Sequence, residues 1–531
     1  MVAGVLLTAA LLGTFPCAPR ARAASQSDVA STIVGMVDSA VHPDLHWPRF
    51  PDFQDDVRRA YQSEQFAPLW VREGKPTPQA AAVIAVLATA DSKGLDAVDY
   101  DAAPLAKMAD ALRAAADPST EQIAAFDVAV TVSVMRFASD SYSGKINPRR
   151  LGFALDVQPK KFDLWSLVWE VAHAPDPAPR LAALDPPFPL YARLQAALTQ
   201  YRQLAARSDL RPVPSLPKLR PGESDPGVPA LRAWLTALGD LAPGAPAPKD
   251  AKRYDDALAP AVKRFQHRHG LAPDAVIGAA TVAALQVPLA QRVRQIELGM
   301  ERLRWLPYSF PERFIVINIP EFRLRGFEDA EPAPRVDMNV VVGSSADDTH
   351  TPVLNADMRF LIFRPYWLVP TSIARKEILP KADHDPGYLQ RQNMVLVDGR
   401  VRQLPGRSNA LGLVKFIFPN PYHVYLHDTP SKALFQRSRR DFSHGCIRVA
   451  DPPRLAEFVL GAQNGWDRER IRTAMSDGPD DHRVDLRSPV PVYVLYTTVV
   501  VESDGQIDFF DDIYGHDARL DALLAKGYPY P

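Results

Sequence analysis

The feature that most constrains this chain is a change of hydrophobic period near Arg313. Before it, apolar residues recur at three-to-four spacing; after it, they alternate or run together in short blocks. Helical and extended patterns bury different faces, and 531 residues exceed what one core supports. The 51 prolines, about twice the ordinary share, sit largely between the periodic blocks as punctuation. A multidomain α + β organisation follows.

Residues 28–210 read as a helical domain. Ala80–Ala90, Tyr100–Ala115, Glu121–Tyr142 and Leu190–Ala206 carry the helical period, broken by Pro175, Pro177 and Pro179 and again by Pro186, Pro187 and Pro189. Trp165 and Trp169 are expected in its core. Pro212–Pro226 is a proline-rich linker, and 217–287 contains a compact unit of three short helices. Leu231, Trp234, Leu235 and Leu238 face one way on the first, Leu258 to His269 form the second, and the third opens after Gly278. His267 and His269 diverge on a helix, so they read as solvated surface rather than a metal pair. Residues 288–310 form an amphipathic linker helix.

In the extended half, Phe314–Ile319, Val336–Val342, Met358–Pro365, Tyr422–Leu426 and Val490–Val501 are β-rich, with Pro452–Leu460 the clearest helix. This predicts a mainly antiparallel sheet domain over 313–500. Residues 370–415 lack a clean period and are expected as an insertion over the site; 501–531 are expected as a tail.

Val2–Phe15 is almost wholly apolar and leads to Ala21-Arg22-Ala23-Ala24, so 1–24 reads as a secretory signal, although no Lys or Arg precedes the run. Lipid attachment through Cys17 is the weaker reading, because Pro16 precedes it. Export to the periplasm or cell envelope is the expectation. Removal of the signal leaves Cys446 as the single thiol, in an oxidising compartment where it has no disulfide partner within the chain. The formal charge of −1, from 61 basic and 62 acidic residues, gives no general basic surface for nucleic acid.

Reactive chemistry concentrates in Ser443-His444-Gly445-Cys446-Ile447-Arg448-Val449-Ala450-Asp451-Pro452. Alternation sets Ile447 and Val449 on one face of a short strand, Cys446 and Arg448 on the other. Arg448 would then favour the thiolate. Gly445 admits a substrate carbonyl close to the backbone. Asp451 is a natural N-cap and Pro452 an N1 residue. A thiol nucleophile needs a base. Strand alternation in PYHVYLHDTP puts His423, Tyr425 and His427 on one face. His427, at the strand end before a turn, is the stronger candidate; His423 lies deeper, and His444 is the rival beside Cys446.

Tyr425-Leu426-His427-Asp428-Thr429-Pro430 followed by Ser443–Val449 resembles the L,D-transpeptidase catalytic domain, especially its large, scaffold-bearing subgroup. Pro365–Lys381, Asn409–Gly412 and Lys415–Tyr422 agree with it, and the resemblance covers about 313–500. The run ending at Leu285, with Phe265, Gln266, Gly270, Leu271, Asp274, Gly278 and Thr281, resembles a peptidoglycan-binding module; Ala275 stands where that family has glycine.

The resemblance implies Cys446 as nucleophile and His427 as general base, oriented by a backbone carbonyl, first that of Asp428. Backbone N–H groups around Gly445 and Cys446 would form the oxyanion hole. Ser443, His444 and Tyr425 would line the site, and Arg448 would brace it or meet a substrate carboxylate. The implied partners are peptidoglycan stem peptides, as donor and acceptor, and a cell-wall synthesis complex; no cofactor is implied. The implied reaction is 3→3 cross-linking through a cysteine thioester with loss of D-alanine, the alternatives being L,D-carboxypeptidase activity or wall-protein attachment. A papain-like peptidase fits less well, since here the histidine precedes the cysteine. A zinc site on His427, His444 and Cys446 lacks a carboxylate base, and a non-enzymatic wall binder has no need of a free thiol.

Overall fold

The computed structural model of the chain describes residues 26–155, 162–246, 248–328, 333–347, 349–461 and 465–528. The expected signal, with Cys17, lies outside them. The chain divides into two compact units: one holds the residues up to Ala88, Ala97–Phe137 and Asp163–Ala182; the other holds Thr89–Asp96, Ala138–Phe162 and Ala183 onward.

The first unit is built from helices including Gln26–Ser39, Gln54–Gln62, Pro78–Leu87 and Ala102–Ala114. Thr77 caps the third of these, its hydroxyl accepting from the Ala80 N–H, with Pro78 at N1. Buried Asp127 accepts from the Leu69 and Trp70 N–H groups and the Tyr61 hydroxyl. The tryptophans correct the expectation. Helix Leu164–His173 buries Leu167, Val168, Val171 and Ala172, so Trp169 falls on its open face, 41% exposed and stacked on His173, and Trp165 is only partly buried.

Helix Pro189–Ala205, at the end of the expected helical domain, falls in the second unit. Tyr191, Leu198 and Tyr201 on it share a core with Ile296 and Met300 of helix Leu289–Arg304. Helices Val228–Ala237, Leu258–Arg268 and Ala279–Leu285 surround Leu231, Trp234, Tyr254 and Phe265. The Gln266 amide ties their connecting turn together: it donates to Asp274, the Val276 carbonyl and Thr281, and accepts from the Ala275 N–H. His269 is a second correction. His267 is exposed, but His269 is buried, stacked on Phe265 at 3.9 Å between ring centroids, and burial holds it neutral.

The extended half forms one sheet with strands β1 (Arg313–Asn318), β2 (Arg323–Glu328), β3 (Val336–Gly343), β4 (Leu354–Phe363), β5 (Val414–Ile417), β6 (Leu426–His427), β7 (Asp441–Ser443), β8 (Ile447–Val449) and β9 (His482–Leu495). Their order is β7-β3-β8-β6-β5-β4-β9-β1-β2, and β2 also pairs with β3, closing the sheet on itself. Pairing is antiparallel except at β6–β8, β7–β3 and β9–β1. Val340, Leu361, Phe363, Phe416, Leu426, Ile447, Val492 and Ile315 fill the interior. Because β6 and β8 send Leu426 and Ile447 inward, their neighbours His427, Cys446 and Arg448 turn to the other face.

Three expectations shift. Val414 and Lys415 belong to β5, so the insertion ends before them; between β4 and β5 lie helices and a three-stranded sheet around Val369, Ile378, Met394 and Val401. Tyr422–Leu426 is not a continuous strand. His423 has φ +55° in a turn that Asn420 organises, its side chain bonding the Phe418 and Val424 carbonyls and the Tyr422 and Val424 N–H groups, so His423 shares no strand face with His427. The expected tail is structured: β10 (Val499–Val501) and β11 (Ile507–Phe509) pair, and helix His516–Leu524 follows.

Candidate active site

His427 sits in a row of residues running across three strands. Lys415 on β5 lies directly opposite it on one side and Arg448 on β8 on the other. The parallel register of β6 and β8 pairs Leu426 with Ile447, which sets Cys446, just ahead of β8, beside Tyr425 and diagonal to His427. Tyr425 and His427 have ring centroids 5.8 Å apart. The Ile447 N–H donates to the Tyr425 carbonyl at 3.1 Å, tying the cysteine loop to the histidine strand.

The electrostatics follow from this row. Burial, then Arg448 and Lys415, push His427 down to about 3, against the pull of its bond to Asp428. Its Nδ1 lies 2.5 Å from the Asp428 carbonyl oxygen, which only accepts; Nδ1 therefore carries the proton and Nε2 a free lone pair. Burial raises the Cys446 thiol above its ordinary value; contacts with Tyr425 and the charge of Arg448 oppose this without overcoming it. The resting pair is thus thiol and neutral imidazole: Arg448 favours the thiolate, as expected, but burial outweighs it.

Ser443 closes the loop 443–446. Its hydroxyl donates to the Cys446 carbonyl at 2.5 Å and accepts from the Gly445 N–H at 3.2 Å. Gly445, at φ +104°, adopts a conformation that side chains disfavour. The Gly445 N–H, one of the expected oxyanion donors, is engaged by Ser443. The Cys446 N–H has no acceptor among the described residues. His444 bonds Glu377 of the insertion, Nε2 to Oε1 2.7 Å. Arg448 stays beside Cys446, its buried Nε without a hydrogen-bond partner among the described residues. Among those residues no group of three or more His, Cys, Asp or Glu side chains is arranged to hold a metal.

A cysteine on a strand end, a histidine on the adjacent parallel strand and a carbonyl orienting that histidine compose the site, and residues 312–500 match the family of the L,D-transpeptidase catalytic domain. Residues 312–500 form an L,D-transpeptidase domain. Ahead of it, 224–285 match the family described as "Putative peptidoglycan binding domain" and 55–198 a scaffold domain. A Haemophilus influenzae protein named "Putative L,D-transpeptidase" is 31% identical over 248 residues, 43% of this chain and 49% of that protein. The chain thus spans about half the length of the curated relative it matches. The L,D-transpeptidase (residues 123-326) from Xylanimonas cellulosilytica aligns at 17% identity over 53% of this chain and 99% of that one, with a TM-score of 0.19. A fused Zn-dependent amidase/peptidase/peptidoglycan-binding domain-containing protein from Clostridium acetobutylicum aligns at 14% over 53% and 100%, with a TM-score of 0.15.

Sequence reasoning missed three residues at the L,D-transpeptidase site. Lys415 was readable in principle, since β5 alternates and leaves it opposite Phe416. Thr351 and Tyr514 carry no local signal, because Thr351 meets Gly445 across 94 residues and Tyr514 meets Thr351 across 163.

Proposed function

We propose that the chain is an exported peptidoglycan L,D-transpeptidase that forms 3→3 cross-links through a thioester on Cys446. The observation that carries this reading is the placement of the Cys446 thiol diagonal to a neutral His427 whose Nδ1–H is fixed on the Asp428 carbonyl.

As Sγ attacks the carbonyl of the third stem residue, its proton passes to His427 Nε2. The Cys446 N–H faces the developing oxyanion. Collapse breaks the C–N bond to the terminal D-alanine, whose amine leaves with the proton from His427. The side-chain amine of a second stem then loses a proton to His427 and attacks the thioester. The C–S bond breaks, and the thiol is restored as the cross-link forms. Arg448 meets the donor's terminal carboxylate, and that pairing relieves the charge that depresses His427, so the base strengthens once substrate is bound. The peptidoglycan-binding module holds the enzyme on its polymer. Water as acceptor gives a carboxypeptidase, and a protein amine gives wall attachment; both begin from the same thioester.

Incubation with tetrapeptide-stem muropeptides should release D-alanine and yield dimers whose fragmentation shows a 3→3 bond, with Cys446→Ala inert. Tripeptide alone would replace cross-linking with hydrolysis. Identical products from both proteins would remove Cys446 from the reaction.

A further inference from the structure

The C-terminal segment reaches the catalytic loop through a chain of hydrogen bonds. The Tyr514 hydroxyl donates to the Gly343 carbonyl at 2.6 Å and accepts from the Thr351 N–H at 3.2 Å. The Thr351 hydroxyl accepts from the Gly343 N–H at 2.8 Å and donates to the Gly445 carbonyl at 2.9 Å. Tyr514 is itself fixed: its ring stacks on His350 at 4.0 Å, and its N–H donates to the Tyr496 hydroxyl at 3.0 Å. The Tyr496 hydroxyl in turn donates to Asp512 at 2.6 Å. Gly343 runs so close to the 349–351 backbone that a Cβ on it would fall 2.0 Å from the Thr349 carbonyl oxygen. The β3 end, the 349–351 segment and the Tyr514 turn are therefore one hydrogen-bonded block.

That block holds one end of a peptide plane. A trans peptide points its C=O and N–H in opposite directions. Holding the Gly445 carbonyl on Thr351 aims the Cys446 N–H, which has no acceptor among the described residues, the other way. Glycine at 445 leaves the plane free to rotate, so the direction of this N–H depends on what its carbonyl meets. Burial keeps the Tyr514 phenol protonated, raised to about 12, so it donates to Gly343 throughout the neutral range.

We infer that Tyr514 and Thr351 are positioning residues for acyl transfer: together they set the Gly445–Cys446 peptide so that the Cys446 N–H serves as the oxyanion donor. The inference rests on the acyl-transfer reading above. It assigns the C-terminal segment a part in the chemistry that its place beyond the catalytic strands does not suggest.

Two reactions of the same thiol separate the outcomes. Acylation by a tetrapeptide donor builds an oxyanion, whereas alkylation by iodoacetamide builds none. Single-turnover acylation of Cys446, followed by intact mass, should fall about a hundredfold in Thr351→Val and about tenfold in Tyr514→Phe. Alkylation should change less than about twofold in both, and Thr351→Ser should acylate close to the parent rate. Variants that acylate at the parent rate would overturn the inference, as would equal losses of acylation and alkylation, which mark general damage to the loop. An unmodified parent protein would instead overturn the acyl-transfer reading itself.

Discussion

His427 donates its Nδ1–H to the carbonyl oxygen of Asp428, its own neighbour in the chain. The Asp428 carboxylate fixes that carbonyl in turn, accepting from the Leu413 N–H at 2.9 Å, the Thr429 N–H at 2.7 Å and Lys432 Nζ at 2.6 Å. The side chain of Asp428 thus orients the base through its own main chain.

Asp428→Ala keeps the carbonyl and loses its anchor. It leaves two backbone donors unpaired, so stability should fall by about 2 kcal/mol. kcat should drop about tenfold while KM stays near its parent value. Denaturation together with steady-state kinetics checks both; an unchanged kcat would mean that the ring needs no such anchor.

The two candidate bases separate by substitution. His427→Ala should lower acylation by about a thousandfold, since it removes the base set diagonal to Cys446. His444→Ala loses only a half-exposed contact with Glu377, with side chains 45% and 47% exposed, and should cost less than tenfold. Equal losses would return His444 to the role of base.

The pH dependence follows from the resting pair. With the thiol raised by burial and His427 lowered, iodoacetamide alkylation should climb steadily as pH rises through about 8 and beyond, without a neutral plateau. A plateau between about pH 5 and 7 would reveal a thiolate–imidazolium pair. Stability carries the matching sign. His427 falls from 6.5 in the open chain to about 3 when folded, so between these values the unfolded state binds a proton that the folded state refuses. This residue costs nothing above about pH 6.5 and subtracts stability progressively as pH drops toward 3.

What could be read from sequence was largely what the chain decides locally. Asp451 accepts from the Arg454 N–H as an N-cap should, because cap and helix are adjacent. The Asp428 carbonyl was implied by the family resemblance and follows His427 directly. Alternation misled at His423, where Asn420 offers the backbone a turn in place of the ladder. It could not foresee that β2 pairs with both β1 and β3, or that Tyr514 reaches Gly343, since such contacts depend on how distant strands assemble. Arg448 was rightly placed beside the thiol. Its charge favours the thiolate as expected, but alternation does not report burial, and burial outweighs the guanidinium charge.

Ala275 gives a test away from the catalytic site. It holds φ +63° in the turn that Gln266 organises, a left-handed conformation that costs alanine about 1 kcal/mol relative to glycine. Ala275→Gly should raise stability by about that amount, with catalysis unaltered. A fall in melting temperature would mean that the methyl group packs better than the backbone is strained.

The most direct test is the intact mass of the protein after brief exposure to a tetrapeptide-stem donor. Cys446 should gain the donor's mass less D-alanine, lose that adduct when an acceptor amine is supplied, and show none in Cys446→Ala. A parent protein that stays unmodified while D-alanine is released, or an adduct that persists in Cys446→Ala, would contradict the thioester and the account built on it.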